Sequence, residues 1–394
     1  MFGAEWKVFS CKVASLCYHV LMKFYVVAGE KSGDKQGALL MQEMLRHRPD
    51  IEFIGLGGSR MHAIAPEGIE DWAEQAAVIG VVEVLKHARF FMRRLKEMTD
   101  RIAADQPEGL ILIDYPGFNQ RLAERVRRLC PHTKIAWFIA PMVWAWHKGR
   151  IPKLARMLDL MLCTFPFEKP LFEAAGLRTE FVGHPLADDI LTTRREGVRE
   201  QNLIGLFPGS RVREIERHFP VFLKLVKQLR TLHPEWKIET SASSPKLEAM
   251  MLKMAQKAGV PAEQLNIRVG NYHDLMDRAE AALVTSGTAT LEAALHRLPF
   301  ALVYKVAWGT YLLARLLLTI KYIGMVNILA DAPITRELIQ HEFNVPNCTA
   351  ELEKLMTPAT RAEVLNGMHN SVDCLCRQGG AAAQAAQAVL SLFE

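Results

Sequence analysis

Two glycine-bearing turns, one in each half of the chain, constrain the possible folds most strongly. The first turn, residues 29–34, directly follows the apolar run 24–28, and the second, residues 208–211, directly follows the apolar run 203–207. A helix-like pattern begins after each turn. Parallel α/β sheets place ligand-binding turns in this position, at the carboxyl ends of their strands. Two such turns in separate halves therefore predict two facing domains with a cleft between them.

The rest of the chain repeats the same alternation of strand and helix patterns. This alternation predicts an α/β fold with two Rossmann-like parallel-sheet domains and right-handed crossovers. A length of 394 residues is too great for one ordinary core, and an apolar fraction of 50% fits a packed globular protein. We expect an uncertain N-terminal extension at 1–21, an N-terminal domain at 22–190, a linker at 191–201, a C-terminal domain at 202–360 and a helical segment at 361–394.

Charge and cysteine usage restrict the compartment and the partners. The net charge of +5 is modest and gives no reason to expect a nucleic-acid partner, although basic residues cluster in the first half. Seven cysteines without a C-x-x-C pair favour a reducing cytoplasm over a disulfide framework or a zinc site. The most apolar stretch, residues 306–330, contains Arg315 and Lys321 and does not clearly span a membrane. Residues 308–328 of this stretch, with the terminal helix, could support a homodimer.

A predicted helix over residues 78–101 carries the clearest membrane signal. One of its faces is apolar, whereas the other is basic with Phe90 in its middle. An aromatic side chain framed by basic residues fits a helix resting on an anionic bilayer, but a single exposed phenylalanine is also common on ordinary surfaces. We therefore expect peripheral association with the inner face of the cytoplasmic membrane. The predicted contact residues are Ile79, Val82, Lys86, Phe90, Arg93 and Arg94.

The turn at 208–211 has the composition of a phosphate site. Gly209 lets the backbone approach a ligand closely, and amides at the start of the following helix favour an anion. Ser210 lies in the same turn, and Arg211 adds a forked cation suited to a phosphate. A turn of this kind is structural about as often as it is functional.

A second turn of similar composition lies in the same half. Ser286 and Thr288, separated by Gly287, can cap a helix and still offer hydroxyls to a phosphate. Glu292 lies one helical turn further on, where a carboxylate can accept both hydroxyls of a ribose. The alternative is a capping box, with Thr288 as the cap and Glu292 in an ion pair. Two such turns favour a nucleoside diphosphate ligand, whereas neither a dinucleotide fingerprint nor a P-loop occurs.

The first half supplies the candidate base. Asp114 ends a predicted buried strand, where a carboxylate could take a proton or, equally, cap a turn. Glu30 and Asp34 lie with Ser32 on the neighbouring turn, and either carboxylate could also be the base or hold a substrate hydroxyl. Because no D-x-D motif occurs, we expect no divalent metal.

Two further side chains are candidates for the cleft. Trp144 belongs to an aromatic segment that could line an apolar pocket or simply pack in the core. His184, between Gly183 and Pro185, could donate to a ligand, although a lone histidine is more often structural.

Together these motifs make the chain resemble the lipid-A-disaccharide synthases, bacterial inverting glycosyltransferases with a GT-B fold. The resemblance runs from about Met22 to the C-terminus. Several motifs in the right order are far more specific than any one of them. They are residues 28–34, 78–85, 114–119, 143–146, 166–168, 182–185, 206–211 and 286–289, with Glu292.

The resemblance implies a reaction in lipid A and lipopolysaccharide biosynthesis of Gram-negative bacteria. The implied donor is UDP-2,3-diacylglucosamine, and the acceptor is 2,3-diacylglucosamine 1-phosphate. The products are UDP and a β-1,6-linked tetraacyl disaccharide 1-phosphate. By the family pattern Asp114 is the base, and no cofactor or metal is required.

The chain departs from the family pattern at a few positions. Ala140 stands where serine is usual, and the Asp114 turn lacks a second aspartate three residues later. Val326 replaces the proline of a Pro-Asn pair, and we keep Asn327 as a further donor-site candidate.

Two other functions remain open at this point. Another enzyme on the same fold, such as a UDP-N-acetylglucosamine 2-epimerase or a different lipid-acceptor transferase, would use the same nucleotide turns. A non-catalytic nucleotide-sugar binding protein would retain Arg211 and Glu292 but would have no use for Asp114.

Overall fold

The structure, a computed structural model, describes residues 22–76, 81–146, 148–197 and 199–394, without the side chains of 81–87. Two parallel sheets, each flanked by helices, form the cores of two Rossmann-like domains. The predicted α/β fold with two parallel-sheet domains is therefore confirmed.

The N-terminal sheet contains seven strands within the described residues. They are β1 (Met22–Ala28), β2 (Ile51–Gly57), β3 (Ile69–Asp71), β4 (Gly109–Ile113), β5 (Lys134–Phe138), β6 (Leu160–Cys163) and β7 (Thr179–Phe181). Their order is β3-β2-β1-β4-β5-β6-β7, so the direction of winding reverses between β1 and β4. The central strands are buried apolar runs, as expected for a parallel sheet covered on both faces.

The C-terminal sheet follows the same plan with six strands in the described part of the chain. They are β8 (Leu203–Phe207), β9 (Lys237–Ala242), β10 (Ile267–Val269), β11 (Ala281–Thr285), β12 (Phe300–Tyr304) and β13 (Glu337–Ile339). The order is β10-β9-β8-β11-β12-β13, and winding reverses between β8 and β11.

Helices connect the strands in both domains. The first half contains α1 (Lys31–His47), α2 (Ser59–Ile64), α3 (Ala73–Ala76), α4 (Val81–Asp105), α5 (Pro116–Leu129), α6 (Val143–Trp146), α7 (Ile151–Met157), α8 (Glu168–Glu173) and α9 (Pro185–Thr193). The second half contains α10 (Val212–Leu232), α11 (Pro245–Lys257), α12 (Tyr272–Arg278), α13 (Thr288–Leu295), α14 (Trp308–Leu317), α15 (Met325–Ala330), α16 (Val345–Met356), α17 (Pro358–Val372) and α18 (Ala381–Leu390).

The last helix, α18, returns to the N-terminal domain. Its residues Ala385 and Val389 are buried in the same apolar cluster as Phe24 of β1. The chain therefore crosses between the domains twice, after α9 and before α18. The start of α9 is joined to the segment before α18, because the His184 amide donates to the Leu375 carbonyl at 2.9 Å.

Some boundaries differ from the sequence prediction. Helix α1 begins at Lys31, so most of the first glycine-bearing turn is the first turn of the helix, with Glu30 as its N-cap. Helix α4 runs to Asp105, and residues 78–80 of the predicted helix lie outside the described residues. Strands β3 and β13, each of three residues, were not predicted.

Candidate active site

The sequence-predicted turns lie at the points where the two sheets reverse their winding. Glu30 follows β1 and Asp114 follows β4, and these strands are paired neighbours. Pro208 follows β8 and Ser286 follows β11, which are also paired. Open α/β sheets bind ligands in the crevice outside the strand ends at such a switch point. The topology thus marks one candidate site on each domain.

Asp114 occupies a tight and strained turn. Its φ is 46° and that of Tyr115 is 48°, left-handed values that residues other than glycine rarely adopt. The Asn119 amide holds the turn by donating to the carbonyls of Asp114 at 2.8 Å and Ile113 at 3.2 Å. Gly29 lets the two turns interlock, because a Cβ atom there would lie 2.3 Å from the Tyr115 ring. The position of Asp114 is therefore fixed by its neighbours.

The surroundings of the Asp114 carboxyl suit proton abstraction. Burial, followed by the negative charge of Glu30, raises the pKa of Asp114, and a hydrogen bond from the Tyr115 amide opposes the rise. A carboxylate with a raised pKa is a stronger base while it remains ionised at the working pH. These properties fit the predicted base better than a turn cap.

The candidates on the neighbouring turn, Glu30, Ser32 and Asp34, have surroundings that differ from those of Asp114. The Asp34 carboxylate is buried and accepts three backbone amides at the start of α2, at 2.8, 3.1 and 3.0 Å. Since these bonds engage both oxygens, Asp34 is a structural cap of α2, and its predicted role as a base or substrate ligand does not fit this position. Glu30 and Ser32 are exposed. The negative charge of Glu30 is the one that helps to raise the pKa of Asp114.

The two tryptophans of the aromatic segment differ in exposure. Trp144 is buried, donates through Nε1 to Glu168 Oε1 at 2.8 Å and packs edge-on against Phe167 with ring centroids 4.8 Å apart. Trp146 is half-exposed, with the Arg150 guanidinium 5.4 Å from its ring centroid. Trp144 therefore packs in the core, the second of the two predicted possibilities.

Beneath Trp144, Glu168 is a buried carboxyl whose charge depends on pH. Burial raises the pKa of Glu168 to about 7, and hydrogen bonds from Trp144 and backbone amides oppose the rise. In the folded state this carboxyl keeps a proton that the unfolded chain loses near its ordinary pKa of 4.5. Stability is therefore expected to decline as pH rises from there to about 7.

We expect the Glu168→Gln variant to lose this decline. Urea unfolding at about pH 5 and about pH 8 measures it, and the drop in unfolding free energy should be about 1–3 kcal/mol smaller in the variant than in the wild type. Glu173→Gln, on the exposed side of α8, is the matched control and should behave as the wild type. An equal drop in the Glu168 variant and the wild type would contradict the assignment.

His184 has a structural role in the described fold. Its Nδ1 accepts the Leu186 amide at 3.2 Å and so caps α9. Burial lowers the pKa of His184 to about 4, so the ring is neutral at physiological pH. The ring packs against Phe165 with centroids 5.0 Å apart. This placement favours the structural alternative over ligand binding.

The C-terminal candidate site is an open cavity between the two predicted phosphate turns. Its volume is about 460 Å³, within the range of small-molecule sites. Six of the seven predicted donor-site residues line it: Ser210, Arg211, Ser286, Gly287, Thr288 and Glu292.

The first turn of this cavity is organised by Glu214, which the sequence analysis missed. Its Oε2 accepts the amides of Ser210 at 2.9 Å and Arg211 at 3.2 Å, and its Oε1 accepts Arg211 Nη1 at 3.0 Å. These bonds engage the backbone amides of the turn itself, ahead of the first residue of α10. The Arg211 side chain remains 79% exposed, so its guanidinium is open to a ligand.

The second turn leaves its backbone open toward the cavity. Gly287 has a φ of 143°, and a Cβ atom added there would meet nothing within 4 Å. Gly287 itself is the N-cap of α13 and no side chain caps the helix, so the alternative of a Thr288 capping box is not observed. Glu292 is hydrogen-bonded to Tyr272, and burial raises the pKa of Glu292 against the opposing charge of His273.

His218 joins the loops behind the cavity and was also missed. Nε2 lies 3.0 Å from the Lys305 amide and 3.2 Å from the Lys305 carbonyl, and Nδ1 lies 3.0 Å from the Pro208 carbonyl. Thr285 Oγ1 lies 3.2 Å from the same nitrogen. Burial lowers the pKa of His218, which keeps the ring neutral. A single histidine in an amphipathic helix gives no sequence signal for this role.

Asn327 does not line the cavity. It is buried, donates to the Thr335 carbonyl at 2.8 Å and to Glu337 Oε1 at 2.9 Å, and accepts the Thr335 amide at 2.9 Å. The side chain therefore ties α15 to the segment before β13. This geometry does not support the predicted direct contact with the donor.

The predicted membrane helix is described only in part. Ile79 lies outside the described residues, and the side chains of Val82 and Lys86 are also outside them. Phe90 is half-buried against Phe91, with ring centroids 5.4 Å apart, and the Arg93 guanidinium lies 5.9 Å from the Phe90 centroid.

Arg94 departs from the predicted basic face. Its guanidinium pairs with Glu70 and with Glu97, and its side chain is only 15% exposed. Of the two arginines predicted beside Phe90, Arg93 is on the surface. Arg94 instead holds α4 to the strand that carries Glu70.

A comparison with known protein families distinguishes between the functions that the sequence motifs left open. The family model described as lipid-A-disaccharide synthetase matches residues 24–389. The chain belongs to the lipid-A-disaccharide synthase family. Curated lipid-A-disaccharide synthases from Geobacter sulfurreducens and Myxococcus xanthus are 37% and 33% identical to it. These matches cover 86% and 94% of this chain and 89% and 97% of the relatives.

Solved structures with the same fold have a lower sequence identity to this chain than the curated relatives have. A putative UDP-N-acetylglucosamine 2-epimerase from Listeria monocytogenes aligns with a TM-score of 0.59 at 12% identity, covering 95% of both chains. A UDP-GlcNAc 2-epimerase from Neisseria meningitidis bound to UDP-GlcNAc aligns at 0.57 and 9% identity, covering 94% of this chain and 98% of that one. These similarities concern the fold alone.

Proposed function

We propose that this glycosyltransferase of the lipid-A-disaccharide synthase family transfers 2,3-diacylglucosamine from UDP-2,3-diacylglucosamine to 2,3-diacylglucosamine 1-phosphate. The products are UDP and a β-1,6-linked disaccharide 1-phosphate. The observation that carries the proposal is the pairing of two switch-point sites, a partly buried carboxylate with a raised pKa on one domain and a cavity with an exposed arginine on the other.

Asp114 is the base in this proposal. Its carboxylate takes the proton of the acceptor 6-hydroxyl as that oxygen attacks the anomeric carbon of the donor. The bond from the anomeric carbon to the UDP oxygen breaks in the same displacement, so the configuration inverts. The strained backbone at Asp114 and Tyr115 supports this role, because such strain concentrates at functional sites. Glu30 and Ser32, exposed on the adjacent turn, are placed to hold the acceptor.

The cavity on the C-terminal domain binds the UDP part of the donor. Negative charge builds on the diphosphate as its bond to the sugar breaks, and the Arg211 guanidinium stabilises it. Ser286, Gly287 and Thr288 supply hydroxyl and backbone contacts, and Glu292 accepts the ribose hydroxyls. Asn327 acts indirectly, by holding α15 in place.

The test is product analysis by mass spectrometry with purified protein and both lipid substrates. A UDP-dependent tetraacyl disaccharide 1-phosphate is the expected product. UDP release or donor epimerisation without a disaccharide would indicate another enzyme of the same fold. Donor binding without any chemistry would indicate a binding protein.

Peripheral membrane association belongs to the same proposal, because both substrates carry acyl chains. We expect Phe90→Glu to lower the membrane-bound fraction severalfold, since it places a charge where an apolar ring would meet lipid. Membrane and soluble fractions compared by immunoblot measure the shift. Met92→Glu, an exposed position on the other side of α4, is the matched control. A Phe90 variant that keeps its UDP affinity and stays on the membrane would exclude this contact.

A further inference from the structure

Helix α14 presents apolar side chains to solvent along its whole length. No residue of this described helix is buried, although six of its ten residues are large and apolar or aromatic. Trp308 is 61% exposed and Leu316 is 83% exposed. Exposed apolar surface of this extent on a globular protein marks a contact with another apolar phase.

The exposed side chains of α14 form two adjacent ridges. At 100° per residue, Trp308, Leu312 and Leu316 follow one another on one side, and Leu313 and Leu317 form the row beside them. Together they cover about half of the helix circumference. At about 1.5 Å per residue the helix is about 15 Å long, and none of the described helices is long and apolar enough to cross a bilayer. A helix of this kind fits a surface on which it lies flat.

The charge of the segment selects the kind of surface. From residue 306 to residue 330 the chain contains Arg315 and Lys321 and no acidic residue. An isologous contact with a second copy would bring these cations together without an acidic partner from the same segment. Anionic lipid headgroups, by contrast, complement the cations while the acyl region receives the leucines.

The N-terminal domain continues this surface. Thr319, just after α14, donates its amide to the Ala145 carbonyl at 3.1 Å, which joins the end of α14 to α6. On the same segment Met142 and Trp146 are each about half exposed, and Arg150 lies over the Trp146 ring. Apolar, aromatic and basic side chains thus occur on both sides of this contact between the domains.

We propose that α14, with Met142 and Trp146, docks the protein on an anionic bilayer surface. The inference rests on the proposed function in one respect, since a lipid donor and acceptor give the enzyme a reason to meet the bilayer. It locates the contact on the C-terminal domain, on a helix distinct from α4. With α14 joined to α6, one lipid surface would contact both domains at once.

The test compares the binding of two double variants to vesicles of phosphatidylethanolamine and phosphatidylglycerol. Leu312→Glu/Leu316→Glu should lower the vesicle partition coefficient by at least about tenfold, because it removes apolar contact and adds repulsion. Leu129→Glu/Leu232→Glu is the matched control, since these leucines are also more than half exposed but lie at the ends of α5 and α10, away from the strand ends that bear the sites. The control should bind as the wild type.

Three results would overturn the docking proposal. One is a wild type that does not bind the vesicles, and another is equal binding by the α14 variant and the control. The third is a wild-type dimer that becomes a monomer in the α14 variant while vesicle binding persists, which would assign α14 to a second copy.

Disaccharide synthesis in detergent micelles is measured in parallel, and the α14 variant should retain it. If the α14 variant loses vesicle binding but the wild type makes no disaccharide, the proposed function is wrong and the docking surface is still supported.

Discussion

Replacing Asp114 by asparagine is expected to lower kcat by about 10²–10⁴-fold, the contribution typical of a positioned general base. The amide cannot accept the proton of the acceptor hydroxyl, but it keeps the size of the carboxyl in a turn that is fixed by Asn119 and Tyr115. UDP affinity, measured by calorimetry, should not change, because the cavity on the C-terminal domain does not include Asp114.

The pH dependence of kcat/KM provides a second test of the same variant. A base must be ionised, so the wild-type kcat/KM should fall as pH decreases through the raised pKa of Asp114, above the ordinary value of 3.8. The Asp114→Asn variant should lack this limb. Glu30→Gln is the matched control: it removes the neighbouring negative charge that helps to raise the pKa, so the limb should move to lower pH. Near-normal turnover in Asp114→Asn would eliminate Asp114 as the base.

The second large effect is expected at Arg211. Arg211→Ala should lower kcat/KM for the donor by about 10²–10³-fold, the scale for loss of one group that stabilises developing charge. Its guanidinium is mostly exposed at the edge of the cavity, so the change removes a ligand contact with little cost in packing. Arg211→Lys should fall in between, because a lysine keeps the charge but loses the planar fork.

Arg213 provides the control for charge alone. It is an exposed arginine two residues away that does not line the cavity, so Arg213→Ala should leave the donor kinetics close to those of the wild type. Steady-state kinetics with each substrate varied in turn separate the effects, and the acceptor KM should not change in either variant. Equal losses in Arg211→Ala and Arg213→Ala would indicate long-range electrostatics rather than a phosphate contact.

The elements that were predictable from sequence are those whose signal is local. Strands such as β4 and β8 are uninterrupted apolar runs followed by a turn, and this pattern alone placed Asp114 and Arg211 at strand ends. The parallel pairing then brings Ser286 to the same sheet edge as Pro208, as the topology rules require. The fold and the lining of the donor cavity therefore followed from strand periodicity and turn composition.

The features that sequence could not reveal depend on partners distant in the chain. Asp34 looked equivalent to Glu30 until the fold brought the amides of α2 to its carboxylate. His218 acquires its role only when Lys305, 87 residues later, reaches its ring. Glu214 is local to the turn, but Arg211 at the N-cap does not match the capping-box pattern, which has a serine, threonine, aspartate or asparagine there.

The return of α18 to the N-terminal domain affects how the protein is made. A ribosome releases the N-terminal domain first, and separate domains usually fold in that order during synthesis. Here the apolar cluster around Phe24 is closed by Ala385 and Val389, which leave the ribosome after all strands of the C-terminal sheet. The cluster on this face of the N-terminal sheet, to which α1 and α2 also contribute, therefore stays incomplete until the second domain has been translated. Completion of the N-terminal core consequently depends on synthesis of the C-terminal domain.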